Sequence, residues 1–109
     1  RKLELLVRRL ETEEDPALLG GLDAEFHETL VLLSGNPILM AVYRMIHKIV
    51  LQGTSRVIAY PGARETAVRD HRRILEALKR KDRRECSAAV RRHLKHTEKL
   101  IEKYFEKEG

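Results

Sequence analysis

Asp23, His27, His71 and His93 are four metal-ligand residue types in an otherwise ordinary helical chain, placed where helices could aim them at one point. Asp23 and His27 stand four residues apart in LDAEFHETLVLL, whose apolar residues recur at helical spacing. Residues i and i+4 lie one turn apart on one helix face, so this carboxylate and imidazole point the same way. His71 and His93 each sit on a further helical stretch, beside apolar neighbours rather than in the charged runs. One carboxylate with three imidazoles makes a coordination sphere for a divalent transition ion. Neutral imidazole suits Zn, Ni, Cu and Fe, and the carboxylate offsets part of the dication's charge. Four such ligands close a tetrahedral zinc, whereas an octahedral ion keeps two positions for water or a bidentate carboxylate. The octahedral arrangement invites a small acid as ligand.

Spacing alone leaves a plainer reading open, in which each histidine is a structural or exposed residue on a mixed helix face. His47 in RMIHKIV and His96, three residues after His93, compete for the role and are read as supporting or surface groups. Other catalytic signatures are missing: the chain has no HExxH, no Gly-rich phosphate loop and no GxSxG elbow. Its glycines fall at expected helix breaks.

The apolar spacing predicts helices from end to end, and the expected fold class is all-α. Leu3, Leu6, Val7 and Leu10 mark a first helix already under way at residue 1. A bend through EEDPALLGG follows, in which Pro16 can start a helical turn and Gly20-Gly21 should interrupt it. The second helix is expected from about Leu22 to Leu33. Ser34-Gly35-Asn36-Pro37 then reads as a stop and a start: Gly35 as a left-handed C′ residue, Asn36 as N-cap, Pro37 as first helical residue. A third helix should run from Pro37 to about Leu51 and bury Ile38, Met45 and Ile49. QGTSRVIAYPGARE holds the β-flavoured Val57, Ile58 and Tyr60 and reads as helix continuation or loop. A fourth helix is expected over about Ala63–Arg80, with Val68, His71, Ile74, Leu75 and Leu78 on one face. Asp82 and Glu85 have capping-box spacing and open the last helix, which carries Ala89, Val90, His93, Leu94, Leu100, Ile101 and Tyr104 before fraying in FEKEG.

At 109 residues the chain is one domain, or a piece of one. Five aromatics and no Trp leave the core to Leu, Ile, Val and Ala, which suits a helical bundle better than a sandwich. The net charge of +5 comes from 22 Lys and Arg against 17 Asp and Glu, concentrated in stretches such as RDHRRILEALKRKDRRE. A basic domain raises the question of nucleic acid. Acidic residues interleave with the basic ones, however, so a solvated face accounts for the excess. The lone Cys86 rules out an internal disulfide, fits a reducing cytosol and reads as a small apolar residue on a helix face. No apolar run is long enough to span a bilayer and no leader opens the chain, so a cytoplasmic protein is expected.

Taken in order, D23-A-E-F-H27, S34-G-N36-P, D70-H71-R-R-I-L-E-A-L-K-R-K-D82 and A88-A-V-R-R-H93-L resemble the ligand-binding C-terminal domain of FadR-like GntR-type transcription regulators, the FCD domain. The resemblance spans about Leu3 to Ile101; no single motif is specific, but the ordered set is. It implies an antiparallel bundle of six or seven helices around a cavity. In metal-binding members an Asp and three His hold a divalent ion at the cavity floor. Matched motif to motif, those ligands fall on Asp23, His27, His71 and His93, with Zn or Ni the foremost ions. The implied effectors are small organic acids (hydroxy, keto or sugar acids) that reach the metal through a carboxylate, and Arg56 is the candidate cation to steady one. The implied assembly is a homodimer, and the implied role is sensing rather than catalysis. Such regulators read DNA with an N-terminal winged helix-turn-helix domain that these residues do not contain. The chain also starts partway into what the family pattern makes the second bundle helix, so it reads as a fragment. A metalloenzyme on the same four ligands and a metal-free helical ligand-binding domain are the alternatives.

Overall fold

The computed structural model describes residues 2–108, so Arg1 and Gly109 lie outside the described residues. Helix α1 (Lys2–Thr12) buries Leu3, Leu6, Val7 and Leu10, the i, i+3, i+4, i+7 face its sequence marks. Asp15 then caps a single 3₁₀ turn, Pro16–Leu18, by accepting from the Ala17 backbone N–H at 3.0 Å. Helix α2 (Leu19–Leu33) follows at once and runs straight through Gly20-Gly21, where a break was expected. Gly20 is there for packing: a Cβ on it would stand 2.7 Å from the Ser55 Cα of the helix crossing over it. A glycine costs a helix about 1 kcal/mol relative to alanine, and here it is offset by letting two helix backbones approach.

The turn at Ser34–Pro37 forms as its residues dictate. Gly35 takes the left-handed conformation at φ +67°, and the Asn36 side chain accepts from the N–H groups of Ile38 and Leu39 at 2.9 and 3.2 Å. Helix α3 (Pro37–Ile58) continues past the expected end at Leu51 and absorbs the β-branched Val57 and Ile58. Burial of Ile58 in the core overrides their weak helix propensity. Helix α4 (Ala63–Lys79) ends at Arg80, and Asp82 accepts from the Glu85 N–H at 3.0 Å to start α5 (Arg83–Glu108). That last helix stays helical through residues 105–108, where fraying was expected; the Tyr104 side chain lies outside the described residues.

The result is the all-α bundle expected, with no strand among the described residues. Two helical hairpins, α2–α3 and α4–α5, are joined by α1, which packs against both α2 and α4. The core draws on Leu6 and Leu10 of α1, Leu22 and Phe26 of α2, and Ile74 and Leu75 of α4. From α3 and α5 it takes only Ile58 and Ala89 among the described residues. The expectation that Ile38, Met45 and Ile49 are buried is corrected: they are 75%, 83% and 69% exposed. A helix of 22 residues carries more apolar surface than α2 covers, and α3 meets α4 and α5 only sparsely. No helix among the described residues is long and apolar enough to cross a membrane.

Candidate metal centre

Consecutive turns of α2 place Asp23 and His27 on its inward face, the middle of α4 brings His71 across from them, and α5 supplies His93. One ring nitrogen from each of the three histidines lies within 4.8 Å of the others, close enough to share an ion. Their ring centroids stand 5.4 Å (His27–His71), 5.6 Å (His27–His93) and 5.0 Å (His71–His93) apart. Asp23 Oδ1 lies 3.0 Å from His71 Nε2. That pair lacks hydrogen-bond alignment, so both atoms, and His71 Nδ1, are buried without a hydrogen-bond partner.

Leaving a buried polar atom unpaired costs about 1–3 kcal/mol, so such atoms need an explanation. Ligand atoms about 2.1 Å from one ion stand about 3.0–3.4 Å apart at octahedral or tetrahedral angles. A carboxylate oxygen and an imidazole nitrogen that approach closely without facing each other have the separation of co-ligands. The donor set fits a divalent ion on this ground.

Electrostatics prepare the same atoms. Burial pushes the Asp23 carboxyl up, but the adjoining His71 ring and the His27 and His93 imidazoles outweigh it, so the carboxyl titrates below its ordinary range. Burial lowers His27 more than Asp23 raises it, which keeps that ring neutral with a lone pair to offer. His71 is fully buried, and Phe26 stacks on it with ring centroids 3.9 Å apart and planes 2° from parallel. That stack fixes the ring's plane.

Asp70 is the residue that reading the sequence missed. It is 1% exposed, and its Oδ2 accepts from His93 Nδ1 at 3.0 Å and from His96 Nδ1 at 2.8 Å. With Nδ1–H committed to the carboxylate, His93 keeps its lone pair on Nε2, the arrangement by which carboxylates orient metal-binding histidines. Burial pushes the Asp70 carboxyl up, and the two imidazole hydrogen bonds more than reverse it. The available signal was the pair His93/His96, three residues apart on α5, facing an acid beside His71. Adjacent residues on a helix point about 100° apart, so Asp70 reaches α5 while His71 reaches α2. His96, read as a supporting or surface group, is hydrogen-bonded to Asp70, whereas His47 is exposed on α3.

A cavity of about 440 Å³ adjoins the cluster, with Asp23, His27 and His93 in its wall. Leu30, Val57, Ile58, Ile74 and Val90 continue that wall, and Thr54, Thr66 and Thr97 interrupt it. Arg56 is exposed on α3 and does not line this cavity.

A helical bundle that sets three histidines and a carboxylate beside a cavity has the shape of a ligand-binding domain. The FCD domain family matches residues 1–96, and the chain belongs to that family. No curated protein and no solved structure matches it. Membership bears out the resemblance carried by the ordered motifs and makes this a regulatory, effector-binding domain.

Proposed function

We propose that the chain is the metal-dependent effector-sensing and dimerisation domain of a GntR-type transcription regulator of the cytoplasm. Asp23, His27, His71 and His93 are the proposed ligands of one divalent transition ion, Zn or Ni foremost. The observation that carries this reading is the buried Asp23–His71 pair, 3.0 Å apart without hydrogen-bond alignment, with two more imidazoles in reach and a cavity alongside. When bound, the ion supplies a Lewis-acid anchor for the carboxylate of a small organic acid. The chain's own residues set up that anchor. Asp23 brings the compensating negative charge, His27 stays neutral through burial, Phe26 holds the His71 ring, and Asp70 turns His93 towards the cluster.

Cavity composition supports sensing over catalysis. Apart from the proposed ligands, Tyr43 is the one titratable residue in the wall among the described residues, and its hydroxyl donates to the Ala24 carbonyl at 3.3 Å. An effector acts by favouring one arrangement of the bundle, and it shifts that balance only by its difference in affinity for the two. In a homodimer this would change the spacing of two attached winged helix-turn-helix domains, which carry the contacts to DNA. Elemental analysis of the purified chain, with and without chelator, tests the metal. About one divalent ion per chain is expected, lost in the double variant H71A/H93A; a wild type that cannot be loaded with zinc or nickel would sink the reading.

A further inference from the structure

The acid's carboxylate has a proposed anchor, but the rest of the molecule must lie against the remaining wall. That wall is apolar: Leu30, Val57, Ile74, Val90, Leu94 and Leu100 face the cavity from four different helices. Its ionisable residues are the ligands Asp23, His27 and His93 together with Tyr43, and no Lys or Arg lines it among the described residues. A basic cleft with Arg69, Lys99 and Lys103 shares Thr66 and Leu100 with the cavity, yet all three cations are exposed and none lines it. At the rim stand Leu94 and Ile101, 61% and 37% exposed, so the entrance is apolar as well.

Resting on the metal reading above, we infer that the effector is a monocarboxylic acid with an apolar body, branched or aromatic, rather than a dicarboxylate or a polyhydroxy acid. A second carboxylate would be buried against hydrocarbon with no cation to meet it, and an unpaired buried charge is the costliest group to desolvate. A sugar acid would bring more hydroxyls than Thr54, Thr66 and Thr97 can pair, and each unpaired one weakens binding. Each methylene set against the wall, by contrast, tightens binding roughly fourfold. The hydroxy and sugar acids that the family resemblance implies are therefore the poorer fit to this wall.

The test uses the chain loaded with zinc, its metal content measured before any acid is added. Titration calorimetry then compares 4-methylpentanoate and phenylacetate with succinate and gluconate, each on the zinc-loaded and the chelator-treated chain. The expected result is binding of the two apolar acids at least tenfold tighter than of the polar pair, present only with zinc. Succinate or gluconate binding as tightly or more tightly overturns the inference and leaves the metal reading intact, as does no acid binding to a zinc-loaded chain. Failure to take up zinc overturns the metal reading instead, and the carboxylate anchor with it. The variant V57R adds a second check, because it sets a guanidinium in the wall. With zinc content unchanged, it should weaken phenylacetate tenfold or more and strengthen succinate; an unaltered preference counts against the inference.

Discussion

Helices α1, α2 and α4 form a closed, well-packed half of the molecule, while α3 and α5 flank it with much of their apolar surface uncovered. Phe26, Leu10 and Ile74 in the first half are at most 1% exposed; Met45 and Leu94 in the second are 83% and 61% exposed. The proposed ligands divide along the same line. Asp23, His27 and His71 stand on the packed half, and His93 reaches in from α5. A bound ion would therefore join a platform that folding already fixes to α5, a helix that packs on α4 but leaves much of its apolar surface uncovered. Local stability follows buried contacts, and the elements that move are drawn from the less stable part.

That contrast can be broken at several points. The largest effect is expected from F26A, which empties a fully packed site and removes the stack on His71: a loss of about 3–5 kcal/mol in urea unfolding of the metal-free chain. A loss below 1 kcal/mol would mean that the inner half is not the stable one. D70N keeps the shape but weakens the acceptor for two imidazoles, and should lower zinc affinity about 10–100-fold with α1, α2 and α4 equally protected in hydrogen exchange. Unchanged affinity would remove Asp70 from the orientation of His93.

A smaller effect concerns pH in the metal-free chain. Folding lowers the His27 pKa beneath the ordinary value of 6.5, so on acidification the unfolded chain takes up that proton first. Stability should then fall as pH drops from 7 towards 5, and H27Q should flatten that slope. Asp23 and Asp70 have folded values below the ordinary 3.8, so their contribution persists above that value and is lost only as pH falls through the lower folded values. A slope between pH 7 and 5 that survives H27Q would assign it to other groups. The smallest effect is expected from M45A on the outer face, within about 0.5 kcal/mol of wild type. A larger loss at raised protein concentration would show that a second chain covers α3.

What could be read from residues alone followed the range of the interaction. Asn36 and Asp82 announced their helix starts because a cap needs only the next two or three N–H groups. Asp23 and His27 were a pair by helical geometry alone. The end of α3 was misplaced because the tertiary burial of Ile58 outweighed its local propensity, and Gly20 seemed a breaker because its partner Ser55 is far along the chain. Ile38, Met45 and Ile49 were assigned to the core because periodicity shows which residues share a face and not whether anything covers it. The approach of His71 and His93 to α2 lay beyond any spacing argument; only the ordered family resemblance placed them with Asp23 and His27. Asp70 escaped even that, since its role depends on which way α5 turns its two histidines.

The start of α5 gives His93 a mechanical setting. Its first turn is held at Asp82, whose side chain accepts from Glu85 and whose carbonyl accepts from Cys86 at 2.9 Å. From that fulcrum His93 lies about 15 Å along the axis, and the far end at Glu108 about 38 Å, at 1.5 Å per residue. Were α5 to tilt about that end as a rigid rod, it would work as a lever with the imidazole on its short arm. A shift of 1 Å at His93 would then become about 2.5 Å at the tip.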